Sequence, residues 1–175
     1  MGEATTKAAI LRDFIELLNW EIPKNTELEY SVKAFGKTYK VDYALLLEGR
    51  PVAFLEAKGL DTSLTDKHRD QLSEYLRSED VNWGILSNGK EYEFYQRRVI
   101  DSKVVVEAVE KTTLQNLAKK TRILEAYQTE TIRGEESGPI IDWIRDLRES
   151  WQVLHDEKNE LAADIVDVLT VSMPE

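Results

Sequence analysis

Val41-Asp42-Tyr43-Ala44-Leu45-Leu46-Leu47, then Glu48-Gly49-Arg50, then Pro51-Val52-Ala53-Phe54-Leu55-Glu56-Ala57-Lys58 read as two strands joined by a turn. The second run is short, apolar and bounded by Lys58-Gly59, as expected of a strand buried on both faces. Alternate residues of a strand share a face, so Phe54, Glu56 and Lys58 project together. A carboxylate and an ammonium on such a strand are costly unless they have partners or a task. The first run supplies Asp42. With Leu47 opposite Pro51, Asp42 falls opposite Glu56, and a slip of one residue would put the two acids on opposite faces. The reading therefore requires an odd-length turn, such as Glu48-Gly49-Arg50.

Two converging carboxylates suit Mg²⁺, a hard cation that takes oxygen ligands and keeps several waters. Such an ion polarises a phosphate and lowers the pKa of bound water. Lys58 on the same face can orient or deprotonate the attacking water and offset phosphate charge. That set hydrolyses phosphodiesters without a covalent nucleophile. The triplet alone is weak, because acid-x-Lys also occurs at Asp101-Ser-Lys103 and Asp156-Glu-Lys158. Only the first lies in a buried-looking strand that follows an aspartate-bearing one. A structural Glu–Lys pair at a strand end is the competing reading, and the strand pair alone does not separate the two.

Outward from this hairpin, Ala8, Leu11, Phe14, Ile15 and Leu18 give a helix from about Thr5 to Asn19. Glu29 to Phe35 alternates as a strand closed by Gly36. Thr65 or Asp66 caps a helix reaching about Ser78, followed by an apolar strand from Val81 to Ser87. Asn88-Gly89 signals a hairpin returning through Glu91 to Gln96, and Lys103 to Val109 is one more strand. A helix is expected from about Thr113 to Gln128, a linker at Gly134 to Pro139, and a long helix from Ile140 to about Leu169. The order implies an α/β fold with a mixed sheet flanked by helices. The Leu60–Val81 crossover can hold a helix, which allows parallel strands on either side. Residues 1–133 are expected to form one domain and 134–175 an acidic helical extension.

Composition narrows the chemistry. The 175 residues contain no cysteine and two histidines, His68 and His155, which disfavours thiolate zinc sites and histidine-rich cages. No apolar run is long enough to span a membrane, and the first residues lack a secretory signal pattern, so a soluble cytoplasmic protein is expected. Net charge is −10, which argues against a nucleic-acid partner until its distribution is read. Residues 1–134 carry 20 Lys and Arg against 22 Asp and Glu, a net of −2. Residues 135–175 carry 3 against 11, a net of −8, so the acidity is concentrated in the terminal segment.

Gln71 and Tyr75 lie four apart on one face of the helix after the central strand, where an amide and a phenol can meet phosphate or water. With them, the run Glu29-Tyr-Ser-Val, Val41-Asp42-Tyr43, Phe54-Leu-Glu56-Ala-Lys58, Gln71-Leu-Ser-Glu-Tyr75, Trp83-Gly-Ile-Leu-Ser-Asn88-Gly89 and Glu93-Phe-Tyr95 resembles a known family. It is similar to the N-terminal nuclease domain of type I restriction enzyme R subunits, in the PD-(D/E)XK superfamily, over roughly Glu27 to Gln96. The resemblance implies a restriction-endonuclease-like fold and DNA cleavage dependent on Mg²⁺ or Mn²⁺. It implies Asp42 and Glu56 as metal ligands, Ala57 in the same metal set, and Lys58 as the catalytic lysine. Gln71 and Tyr75 correspond to an accessory pair also seen in RecB-like nucleases. Glu29 would support the metal site, with Glu16 as a second candidate. Val41 stands where the family often has proline or arginine. No Gly-x-x-x-x-Gly-Lys-Ser/Thr loop occurs, so the chain would be a free-standing version of the domain or one piece of an assembly in which a helicase or specificity subunit acts in trans. A non-catalytic module that binds nucleic acid or a partner on the same fold is the alternative, with a structural interaction domain a third reading.

Other residues carry smaller expectations. Lys67, His68 and Arg69 could meet a phosphate backbone, though a solvated helix start fits them better. Arg97-Arg98 reads equally as a DNA contact or a surface pair. Trp83 and Tyr95 are expected in the core. Trp143, Leu147, Trp151 and Leu154 recur at helical spacing, which favours core packing or a helix–helix contact, including a homodimer seam.

Overall fold

The computed structural model describes residues 10–171, with side chains described as far as residue 163. Six strands form one sheet in chain order: β1 (Thr26–Ala34), β2 (Lys37–Leu47), β3 (Arg50–Ala57), β4 (Trp83–Ser87), β5 (Glu91–Ile100) and β6 (Lys103–Thr113). All neighbours are antiparallel except β3 and β4, which run parallel. The crossover between those two is helix α2 (Asp66–Ser78). The fold is therefore the mixed α/β sheet that the alternation of periods implies.

Both faces of the sheet are covered, which explains the unbroken apolar run of β3. Ala53, Leu55 and Ala57 point into a core with Phe14 and Ile15 of α1 (Arg12–Leu17), Ile85, Tyr92, Phe94 and Tyr127. Phe54 points the other way, into a core with Leu72, Tyr75 and Leu76 of α2 and with Leu86. Residues 5–9 of the expected first helix lie outside the described residues. Of the two expected caps, Thr65 is the N-cap, and it forms a capping box with His68. Gly84 of β4 lies beneath α2, and a Cβ there would stand 2.8 Å from Leu76 Cδ1. The missing side chain lets α2 lie close to the sheet.

The turn between β2 and β3 departs from expectation. Leu47 pairs with Arg50 and Leu46 with Pro51, so the turn is the two residues Glu48 and Gly49, both left-handed (φ 51° and 76°). This is the even-length turn that would misplace the acids. The register then shifts: Leu45 pairs with Ala53 and Tyr43 with Leu55, leaving Val52 as the extra residue of a β-bulge. The bulge restores the parity that the turn removes, and the next positions outward are Asp42 and Glu56.

The expected helix over Thr113–Gln128 is two short ones, α3 (Leu114–Leu117) and α4 (Thr121–Ala126), and a third, α5 (Thr129–Arg133), follows it. Contacts from outside the segment break it. Trp20 Nε1 donates to the Tyr127 carbonyl at 3.0 Å, the Tyr127 hydroxyl to the Tyr95 carbonyl at 2.7 Å, and the Thr129 N–H to the Leu18 carbonyl at 3.2 Å. The expected linker is the start of α6 (Ser137–Val171). The first turns of α6 dock on the body through buried Ile141, through Arg145 on Gln96 and Glu107, and through Arg148 on the Val109 carbonyl. Trp143, Leu147, Trp151 and Leu154 of the same helix are exposed, so core packing within the chain does not account for the stripe. Trp83 and Tyr95 are buried as expected. Among the described residues, no helix is long and apolar enough to cross a membrane.

Candidate active site at the ends of β2 and β3

The site forms where β2 and β3 stop pairing. Beyond Tyr43 and Leu55, one Asp42 carboxylate oxygen accepts the Ala57 N–H at 2.7 Å. The aspartate side chain thus takes over as acceptor at the strand end. Val41 packs in the α2-side core and Tyr43 in the opposite one, so the alternation of β2 reverses around Asp42. Glu29, across from this point on β1, has a left-handed backbone (φ 53°), uncommon for a non-glycine residue.

Glu56 and Lys58 project on the same side, as strand alternation requires, and Lys58 Nζ donates to Glu56 Oε1 at 2.8 Å. Their side chains are 5% and 14% exposed, so the pair is shielded from water. Burial pushes the Glu56 carboxyl up to about 7, and the neighbouring Asp42 charge adds to the rise. Lys58 opposes it. Glu56 Oε2 is buried and has no hydrogen-bond partner in the structure. A buried acceptor facing a second carboxylate is unfavourable unless a cation or proton joins them.

Tyr75 of α2 is buried over this centre, and Gln71 Nε2 donates to its hydroxyl. Burial raises the Tyr75 pKa, and the charges of Glu56 and Asp42 push it in the same direction. Asp42, Glu56, Lys58, Gln71 and Tyr75 are thereby brought together. Glu29 is exposed and its carboxylate pairs with Lys40 at 3.1 Å. Glu16 is likewise exposed and paired with Arg12. Among the described residues, no group of three or more His, Cys, Asp or Glu gathers as a metal cage. The carboxylates that could hold a cation at this point are Asp42 and Glu56, and one or two carboxylates is what Mg²⁺ commonly takes. The other acid-x-Lys triplets differ in setting. Asp101 and Ser102 form the β5–β6 turn, and Asp156 to Lys158 is an exposed stretch of α6.

A second buried cluster holds the frame of the site. The Arg69 guanidinium grips Glu93 with Nε at 2.9 Å and Nη2 at 2.7 Å, and Nη2 also donates to the Leu64 carbonyl at 3.1 Å. The Tyr95 hydroxyl donates to the same carboxylate, and these bonds hold the Glu93 carboxyl below the usual range against its burial. Arg69 is thus committed to an internal ion pair, and His68 accepts the Thr65 N–H, so neither sits at a freely solvated helix start. Asn88 Nδ2 donates to the Thr62 carbonyl at 2.9 Å, tying the loop after Lys58 to the β4–β5 turn. Glu93 within the apolar β5 run signals such a partner, since a lone buried carboxylate does not persist. Arg97 and Arg98 pair with Asp80 and Glu107. We predict that Arg69→Met lowers stability by about 2 kcal/mol in urea denaturation, because Glu93 is left buried and underpaired.

Comparison with known proteins bears on the family of the chain. The family model described as type I restriction enzyme R protein N terminus matches residues 3–111. No curated protein matches the chain.

Proposed function

The chain belongs to the family of type I restriction enzyme R protein N-termini, and from this premise we propose that it is a metal-dependent deoxyribonuclease that hydrolyses phosphodiester bonds at the Asp42–Glu56–Lys58 cluster. The observation that carries the reading is the buried, unpartnered Glu56 Oε2 beside Asp42, with Lys58 on the same carboxylate. Asp42 and Glu56, adjoining Ala57, would hold Mg²⁺ or Mn²⁺, with Glu29 as an outer support. A divalent cation bound there supplies Lewis acidity to a phosphate oxygen and acidifies water.

The chain's own residues do the rest. Lys58 places a positive charge where negative charge develops on the phosphate, and orients or deprotonates the attacking water. Gln71 and Tyr75 contribute an amide and a hydroxyl on the α2 side for phosphate or water. Their mutual hydrogen bond fixes both before substrate arrives. Glu56 ionises fully once a cation offsets the Asp42 charge, so cation binding should release a proton near neutral pH.

In this reading the partners are DNA, together with a helicase or specificity subunit acting in trans in the cytoplasm. The exposed α6 stripe is a further contact, and a homodimer through it would show as twice the chain mass in size-exclusion chromatography with light scattering. The function is tested with linear and circular DNA in Mg²⁺, Mn²⁺ or EDTA. Metal-dependent cleavage by wild type that Glu56→Ala loses is expected. An inert wild type, or equal cleavage by Glu56→Ala, would overturn the proposal. Metal-independent binding with intact DNA would instead favour the non-catalytic module.

A further inference from the structure

We infer that the β1–β2 hairpin is a single-stranded DNA guide, holding nucleotides on Phe35 and Tyr39 and leading them toward Glu56; this rests on the nuclease reading above. Three observations meet in the hairpin. The first is charge. Residues 30–41 contain Lys33, Lys37 and Lys40 and no acid, within a chain of net charge −10. Lys33 and Lys37 are exposed near the hairpin tip, and Lys40 pairs with Glu29 at 3.1 Å. The nearest acid from α2's end, Glu79, accepts the Lys33 backbone N–H at 3.1 Å.

The second observation is the tip itself. Ala34 pairs with Lys37, so the turn is Phe35-Gly36, with both residues left-handed (φ 50° and 69°). Such turns favour asparagine, aspartate or glycine, and a bulky aromatic in this conformation is an outlier. Phe35 is nevertheless 61% exposed, so burial does not offset the strain. A residue unfavourable in both backbone and solvation points to a role at the surface.

The third observation is alignment. The Phe35 and Tyr39 rings stand 6.1 Å apart, and the Tyr39 and Tyr75 rings 6.0 Å apart. The row runs from the exposed tip through half-buried Tyr39 to Tyr75, which is itself buried, so bases can stack on Phe35 and on the open side of Tyr39 while Tyr75 only backs them from the core. Aromatic faces flanked by lysines are the common means of holding single strands, because every base has a π-face and every nucleotide a phosphate. An intact duplex offers no unstacked base to Phe35, so the surface fits a single strand or a frayed end.

The test uses a labelled single-stranded oligonucleotide and the full chain in EDTA at low salt, where no cleavage occurs. Phe35→Asn suits the turn, so it should melt at or above the wild-type temperature while binding about ten-fold more weakly. Lys37→Gln should reduce the salt dependence of binding by roughly one phosphate contact. No binding by wild type, or undiminished binding by Phe35→Asn, would overturn the guide. Metal-dependent cleavage that Glu56→Ala abolishes while Phe35→Asn binds normally would remove the guide and leave the nuclease standing.

Discussion

Replacing Glu56 by Gln is expected to stabilise the metal-free protein by about 3 kcal/mol at pH 8. The Glu56 carboxyl titrates near 7 in the folded chain against an ordinary value of 4.5, because it is buried and faces Asp42. The folded chain therefore holds a proton that the unfolded chain has released between these two pH values. Stability falls as pH rises through that window, and the penalty is complete above about pH 7. Glutamine keeps the shape, still accepts from Lys58 and carries no charge to desolvate. Its melting temperature should exceed wild type by roughly 8 °C at pH 8 and converge with it near pH 4. Calorimetric melts in EDTA across this range give the comparison. Equal pH profiles for the two proteins would mean that Glu56 is not held at a cost. The same substitution should abolish cleavage, so stability and activity move in opposite directions, as expected where a site is built at the expense of the fold.

Lys58→Met is expected to reduce the rate of metal-dependent DNA cleavage by about 10²- to 10³-fold. Methionine fills much of the same volume, and a side chain only 14% exposed tolerates an apolar replacement. What disappears is the ammonium 2.8 Å from Glu56 Oε1, and with it the charge proposed to face the phosphate. Removing that cation raises the Glu56 carboxyl further, since Lys58 is one of the groups lowering it. The variant should thus need higher pH for its residual activity as well as turning over more slowly. Single-turnover rates from pH 6 to 9 separate the two effects. An unchanged rate would leave Lys58 a structural partner of Glu56 and nothing more.

The central strand was legible because its chemistry contradicts its setting. Glu56 and Lys58 stand in a run that is otherwise apolar, and alternation placed them on one face, where the structure has them. The α2 helix and its Gln71–Tyr75 spacing were legible from period and cap alone. The turn was not. Glu48-Gly49 has the ordinary two-residue form, and the bulge at Val52 that corrects its register leaves no mark in residue type. Sequence reading reached the right facing of Asp42 and Glu56 through the wrong turn length. The break-up of the expected 113–128 helix was equally hidden, since it comes from bonds to Trp20, Leu18 and Tyr95, all remote in the chain. The Glu93–Arg69 pair was not legible: Arg69 reads as a phosphate contact or part of a solvated helix start, because its partner lies 24 residues away on a strand. On α6 the period was legible, and of its two readings core packing within the chain falls, since Trp151 is 71% exposed, while a helix–helix contact is open to test. A stripe gives a face, and the element that covers it must come from elsewhere.

The most direct test is a titration of the metal-free protein with Mn²⁺, followed by electron paramagnetic resonance of the free ion. The account predicts a bound population in wild type that Asp42→Asn and Glu56→Gln each remove, and that Lys58→Met retains. Binding of Mn²⁺ unchanged by both carboxylate substitutions, or no binding by wild type, would contradict the assignment of Asp42 and Glu56 as the centre of this protein.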